Sequence, residues 1–165
     1  MRRMDARGVV LLDLLAALAV IAILAGIVLP LGRTLYARAA VEYEAMRLIG
    51  ELRRVQSLSR TTATQLYVNG VWLEERAPRL YLREGGYVIH RPFMEERHTY
   101  RPLPLVRIEQ ETQRDTPVAF DRNGNIDGYW SHNMTIRVYA AGYEKDAVRV
   151  VIDVVGRIRL QRGRG

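Results

Sequence analysis

The chain has 165 residues, with 25 Lys or Arg against 18 Asp or Glu for a formal charge of +7, a length that suits one compact domain plus an appendage. The absence of cysteine excludes a disulfide framework, thiolate metal sites and a cysteine nucleophile, and leaves the compartment open. Lys145 is the only lysine, so arginine carries the positive balance, and an apolar content of 48% beside a slightly negative mean hydropathy requires the apolar residues to be concentrated in one place.

That place is the N-terminus. From Val9 to Leu31 the run VVLLDLLAALAVIAILAGIVLPL holds a single charge, Asp13, and a helix rising about 1.5 Å per residue over it crosses a hydrocarbon core of about 30 Å. The preceding stub MRRMDARG carries Arg2, Arg3 and Arg7 against Asp5, which places it in the cytoplasm and Gly32 onward outside. Arg33 and Arg38 beyond the span pull against that orientation.

Three readings of this segment compete. A secretory signal peptide ends its apolar stretch after about 7 to 15 residues at a small-x-small site, whereas Ala17-Leu18-Ala19 lies inside a run that continues past it. A plain single-pass anchor leaves Asp13 unexplained, because a carboxylate near the centre of a membrane helix costs about 2.5–3.5 kcal/mol. A leader cut after Gly8 frees the amine of Val9. That amine and Asp13, four positions apart, share a helix face within one chain or across adjacent chains, and the helix dipole favours a carboxylate in the first turns.

Pro30 lacks a donor and crowds the turn before it, which predicts a kink or a locally melted stretch near Gly26 to Gly32. Apolar residues then recur every three or four positions at Ala37, Val41, Ala45, Leu48, Leu52 and Val55, forming one stripe, with Glu44, Arg47, Glu51 and Arg54 placed on the opposite face. The helix is expected to run to about Ser59, its outer half needing a surface to cover the stripe.

After Thr61 to Thr64 the period changes to alternation. Gln65 to Val68 and Val71 to Leu73 around Asn69-Gly70 read as a hairpin with a tight turn. Leu80 to Leu82 and Tyr87 to His90 flank Glu84-Gly85-Gly86, and Leu105 to Glu109 is a short, edge-like run. Pro117 to Phe120, Thr135 to Tyr139, Val148 to Val154 and Arg157 to Leu160 complete the strands. The expected fold is α+β, a long N-terminal transmembrane-plus-amphipathic helix packed on an antiparallel β-sheet head.

Several groupings suggest chemistry. Asp121, Asn123, Asn125 and Asp127 with Gly124 and Gly128 hint at a calcium loop, yet the twelfth position is His132 or Met134 rather than the bidentate Glu such a loop needs; Asn-Gly and Asp-Gly suffice as turn residues. His90, His98 and His132 lack metal-ligand spacing. Tyr67, Trp72, Tyr81, Tyr87 and Trp130 could stack bases, but at strand positions such side chains more often pack a sheet. No Gly-rich phosphate loop occurs, so the expectation is a protein without enzymatic activity, metal or cofactor. The final segment, Gly156 to Gly165, holds Arg157, Arg159, Arg162 and Arg164 and no acid. It reads either as a solvated tail or as a flexible cationic tail that neutralises phosphates, with a log–log salt slope of about −0.9 per contact to duplex DNA.

Gly8 preceded by Arg7, an apolar helix, an acid five residues after the glycine and a proline twenty-two residues after it together resemble the leader of type IV pilins and type II secretion pseudopilins. The resemblance implies that prepilin peptidase, a membrane aspartic peptidase, cuts between Gly8 and Val9, that the new N-terminus is methylated, and that Asp13 and Pro30 serve assembly. Val9 and Val10 stand where the family usually has Phe or Met and then Thr or Ser, and Asp13 stands for the usual Glu. The shorter side chain reaches less far to a neighbour's amine, which suits a low-copy subunit. VAFDRNGNIDG at Val118 to Gly128 and VRVVIDVVGRIRL at Val148 to Leu160 resemble the GspH and FimT group of minor pilins and pseudopilins. In FimT-like proteins of competent bacteria a Gly-Arg-x-Arg motif contributes to DNA binding, and Gly156-Arg157-Ile158-Arg159 is similar to it.

The resemblance implies a leader over 1–8, a transmembrane helix over 9–31, its amphipathic continuation over 32–61, and an extracytoplasmic β-rich head with a basic C-terminal tail over 62–165. It implies residence in the bacterial inner membrane, with the head outside, and passage into a periplasmic or cell-surface filament. The implied partners are prepilin peptidase, other pilins or pseudopilins, the inner-membrane assembly platform and, through the tail, DNA. Two functions stay open: a minor subunit of a type IV pilus or DNA-uptake filament, and a secretion pseudopilin contacting other tip subunits without binding DNA. A membrane-anchored binding domain outside the family is the third.

Overall fold

The computed structural model describes residues 6–61, 65–68, 70–74, 77–83, 86–91, 96–112, 116–127 and 133–163. The chain divides into two compact units, Met1–Tyr36 and Ala37–Gly165, and one helix, α1 (Ala6–Thr61), contributes to both.

In the first unit α1 is apolar on every side. From Val10 to Tyr36 no residue is buried, and a window of this helix reaches a mean hydropathy of 2.9, so it is long and apolar enough to cross a membrane. The α-helical conformation passes through Gly26 to Gly32 without a break, which removes the expected local melting. Pro30 deletes one donor only, and the Thr34 hydroxyl donates to the Pro30 carbonyl at 3.1 Å. The carbonyl that Pro30 leaves without its helical donor is that of Gly26, one turn earlier.

In the second unit α1 does what its spacing dictates. Ala37, Val41, Ala45, Leu48, Leu52 and Val55 are buried, the stripe read from the sequence, joined by Ala40 and Ile49. Glu44 departs from expectation: it has no solvent exposure and therefore lies on the covered face, while Arg54 is exposed.

The covering surface is antiparallel β-structure. After the hairpin β1 (Gln65–Val68) and β2 (Val71–Glu74) come β3 (Arg79–Arg83), β4 (Gly86–Arg91), β5 (Glu96–Tyr100), β6 (Val106–Gln110), β7 (Val118–Ala119), β8 (Met134–Ala140), β9 (Val148–Ile152) and β10 (Ile158–Arg162). They form the two-stranded β1-β2 sheet and two four-stranded sheets, ordered β10-β9-β8-β6 and β5-β4-β3-β7. The fold is α+β, as its periodicity predicts. Val68 pairs with Val71, the register expected of the hairpin, whose Asn69 lies outside the described residues, and β6 is an edge strand as expected.

Alternation places the core. In β8 every second residue from Met134 to Ala140 is buried, and β9 and β6 repeat the pattern. Their inward side chains join Leu80, Tyr87, Ile89 and Val118 of the other sheet, Phe120 just after β7, and the stripe of α1, in one hydrophobic cluster. At about 25 cal/mol per Å² of apolar surface removed from water, this shared cluster is the main force holding Ala37–Thr61 on the sheets. Among the described strands, β5 is the one that the sequence does not announce. Its residues Glu-Arg-His-Thr-Tyr carry no apolar alternation; it exists through its pairing with β4, Tyr87 to Tyr100 and Ile89 to His98.

Candidate functional site

Gly8, Val9, Asp13 and Pro30 all lie within α1. Val9 and Asp13 are one turn apart, about 6 Å along the axis. Asp13 is exposed and makes no hydrogen bond or ion pair among the described residues. A lone carboxylate on an apolar helix surface is open to a partner from outside the chain.

Arg157, Arg159 and Arg162 are held at or in a strand rather than on a flexible tail. Residues 158–162 form β10, paired with β9 from Ile158–Ile152 to Arg162–Val148, because Ile158 and Leu160 pack on the core and draw the segment onto the sheet. The backbone N–H of Arg157 donates to the Asp153 carboxylate at 2.8 Å, and its guanidinium lies 3.4 Å from the same group. Arg162 reaches Glu42 of α1 at 3.0 Å. Arg159 is exposed, opposite Val151, with no partner among the described residues. Arg164 lies outside the described residues.

Gly156 of the Gly-Arg-x-Arg stretch has a structural task. Its φ of +73° lies in the left-handed region, and a β-carbon there would collide with the carbonyl oxygen of Gly124. The Gln56 side-chain amide of α1 donates to both carbonyls, Gly124 at 2.7 Å and Gly156 at 2.8 Å. Ile126 N–H donates to Val154 at 3.2 Å. The turns at Gly124 and Gly156 are thus clipped to each other and to the helix by one glutamine.

The Asp121 loop meets its own needs. The Asp121 carboxylate accepts from Asn125 through the backbone N–H at 2.8 Å and the side-chain amide at 3.1 Å. Among the described residues no group of three His, Cys, Asp or Glu is arranged to hold a metal. His90 and His98 sit on neighbouring strands, with His90 opposite Arg97 and His98 opposite Ile89; His132 and Trp130 lie outside the described residues. Tyr87 is a core residue at 1% exposure, not a surface ring for base stacking, and Tyr81 is half-buried.

A polar cluster that the sequence pattern does not foretell lies under α1. The Glu44 carboxylate accepts from the Tyr100 hydroxyl and from the Leu103 N–H, each at 2.9 Å. The Arg47 guanidinium lies 3.7 Å above the Tyr100 ring, and the Tyr87 and Tyr100 rings are 5.0 Å apart. Burial, then the hydrogen bond to Glu44, push the Tyr100 hydroxyl up to about 12. Burial pushes Tyr87 higher still, the Glu51 charge adding to it and Arg47 partly opposing. One signal for Glu44 was present: it stands three residues after Val41 and four before Leu48, the spacing of the buried stripe itself.

Comparison of the chain with protein-family models, with curated proteins and with solved structures gives no match.

Proposed function

We propose that the chain is a minor pilin or pseudopilin, cut by prepilin peptidase after Gly8, held in the inner membrane through residues 9–31 and assembled into a filament through its N-terminal helix, with the β-rich head outside. It performs no chemistry of its own. The observation that supports this reading is the double use of α1: an apolar N-terminal part with no buried residue from Val10 to Tyr36, and a C-terminal part whose stripe is buried in the core of the head. A signal peptide has no reason to share one helix with a folded core. Mass spectrometry of the protein from host membranes tests the proposal: the expected N-terminus is a methylated Val9, and a chain still beginning at Met1 overturns it.

Within that reading two functions remain, a DNA-uptake subunit and a secretion pseudopilin that contacts other tip subunits and leaves DNA alone; Arg157 pairs with Asp153 and Arg162 with Glu42. The DNA-uptake alternative rests on Arg159, and on the fact that exposed pairs contribute only about 0–1 kcal/mol, so phosphates can displace them. Retention of a DNA duplex at low salt separates the two. Binding that disappears when Arg157, Arg159, Arg162 and Arg164 are all replaced by Gln supports uptake; absence of binding by the unaltered chain supports export.

A further inference from the structure

Strand β10 is the terminal strand of its sheet, and its free edge can be mapped residue by residue. Asp153 N–H donates to the Arg157 carbonyl at 3.1 Å, which makes these two a hydrogen-bonded pair. Antiparallel ladders alternate hydrogen-bonded and non-hydrogen-bonded pairs. The Arg159–Val151 and Gln161–Arg149 pairs therefore bond inward, while Ile158, Leu160 and Arg162 turn their N–H and C=O groups to the outer edge. Among the described residues, no backbone group from outside β9 is bonded to β10.

An open row of donors and acceptors is a template for another strand, and the side chains along this one set its charge. Arg157, Arg159 and Arg162 are all exposed. The Arg157 and Arg162 guanidiniums meet carboxylates only in surface pairs, 67% and 66% exposed on the arginine side, and Arg159 between them meets none. Pairing this edge with its own copy brings three arginines against three within about 10 Å, the screening distance at 0.1 M salt. A second copy is disfavoured and an acidic strand favoured.

We propose that the outer edge of β10 is a strand-addition site for an extended, acidic segment of a different protein, with main-chain bonds to Ile158, Leu160 and Arg162 and charge contacts to Arg159. The site is independent of cleavage at Gly8. Its failure leaves the filament reading standing, and the reverse also holds.

Amide exchange of the full chain in detergent micelles tests this, with a blocked threonine–glutamate alternating peptide as probe and its threonine–lysine counterpart as control. At saturating acidic peptide, exchange at Ile158, Leu160 and Arg162 slows by about tenfold or more, while Arg159 and Gln161, already in the ladder, stay as they were. Arg159→Glu shifts the preference toward the lysine peptide. Equal slowing by both peptides, slowing at none of the three amides, or the same three-amide protection by a short DNA duplex overturns the proposal.

Discussion

The Tyr100 hydroxyl lies 2.9 Å from both carboxylate oxygens of Glu44, a side chain with no solvent exposure. The bond joins α1 to the end of β5, and the Leu103 N–H beside it ties the following segment to the same carboxylate. Hydrogen bonds to charged groups are the stronger kind, and a buried acceptor that loses its donor pays the desolvation cost. Tyr100→Phe is expected to lower stability by about 1.5–3 kcal/mol, read from urea unfolding of the full chain in micelles. Glu44→Gln, which keeps an acceptor of the same shape, is expected to cost less than Glu44→Ala. A Tyr100→Phe midpoint equal to wild type would mean that Glu44 does not depend on this donor.

The same cluster makes the head labile to alkali. An unfolded tyrosine ionises near 10, and Tyr100 in the folded chain near 12, with Tyr87 shifted further in the same direction. Between these values the folded state holds more protons than the unfolded one, so the free energy of unfolding falls as pH rises. The contribution is complete below about pH 10 and disappears as pH passes through the folded value. Unfolding midpoints across an alkaline series are expected to decline over that window, with tyrosinate absorbance lagging until the head opens. In Tyr100→Phe the decline is expected to be shallower; an unchanged slope would assign it elsewhere.

At Gly156 two costs of substitution can be separated. Gly142 and Gly156 have left-handed φ values of +85° and +73°. A β-carbon at Gly142 meets nothing within 4 Å, whereas one at Gly156 strikes the Gly124 carbonyl. Gly142→Ala carries backbone strain alone, about 1–2 kcal/mol. Gly156→Ala carries that strain and must also push the Asp121 loop away from the Asp153 turn. It is expected to be the more destabilising of the two in thermal unfolding, and Gln56→Ala to resemble it by releasing the same two turns. Equal costs for the two glycines would mean that the turns move apart freely.

What the sequence makes legible follows from the range of the interactions involved. The stripe from Ala37 to Val55, the Asn69-Gly70 hairpin and the alternating strands β8 and β9 are local patterns, and each is visible in a window of a few residues. Strand β5 has no such pattern, since its partner β4 supplies its reason to exist. Its charge places Glu44 on the polar face, although its spacing matches the buried stripe. The arginines of the last segment displayed their charge but not their partners: Arg162 meets a glutamate 120 positions away, and Gln56 reaches across 68 and 100 positions to the two turns. Distance in sequence hides the contacts that turn an apparent tail into a strand.

Asp13 decides between an anchor and an assembling subunit, because the two make opposite demands on it. For a plain anchor the carboxylate is a burden, smaller than the about 2.5–3.5 kcal/mol of a charge at the membrane centre because Asp13 lies five residues into the span, so Asp13→Asn is expected to leave function intact and to insert at least as well. For a filament subunit the charge is needed to meet the amine that cleavage creates at Val9 of its own or an adjacent chain, one turn away by helical spacing. Asn keeps the shape and loses the charge; Glu keeps the charge and gains reach. The expected result is that Asp13→Asn is membrane-inserted and processed normally yet absent from sheared filaments, while Asp13→Glu is incorporated as well as or better than wild type. Incorporation of Asp13→Asn at the wild-type level would remove the charge from assembly and leave the helix as an anchor.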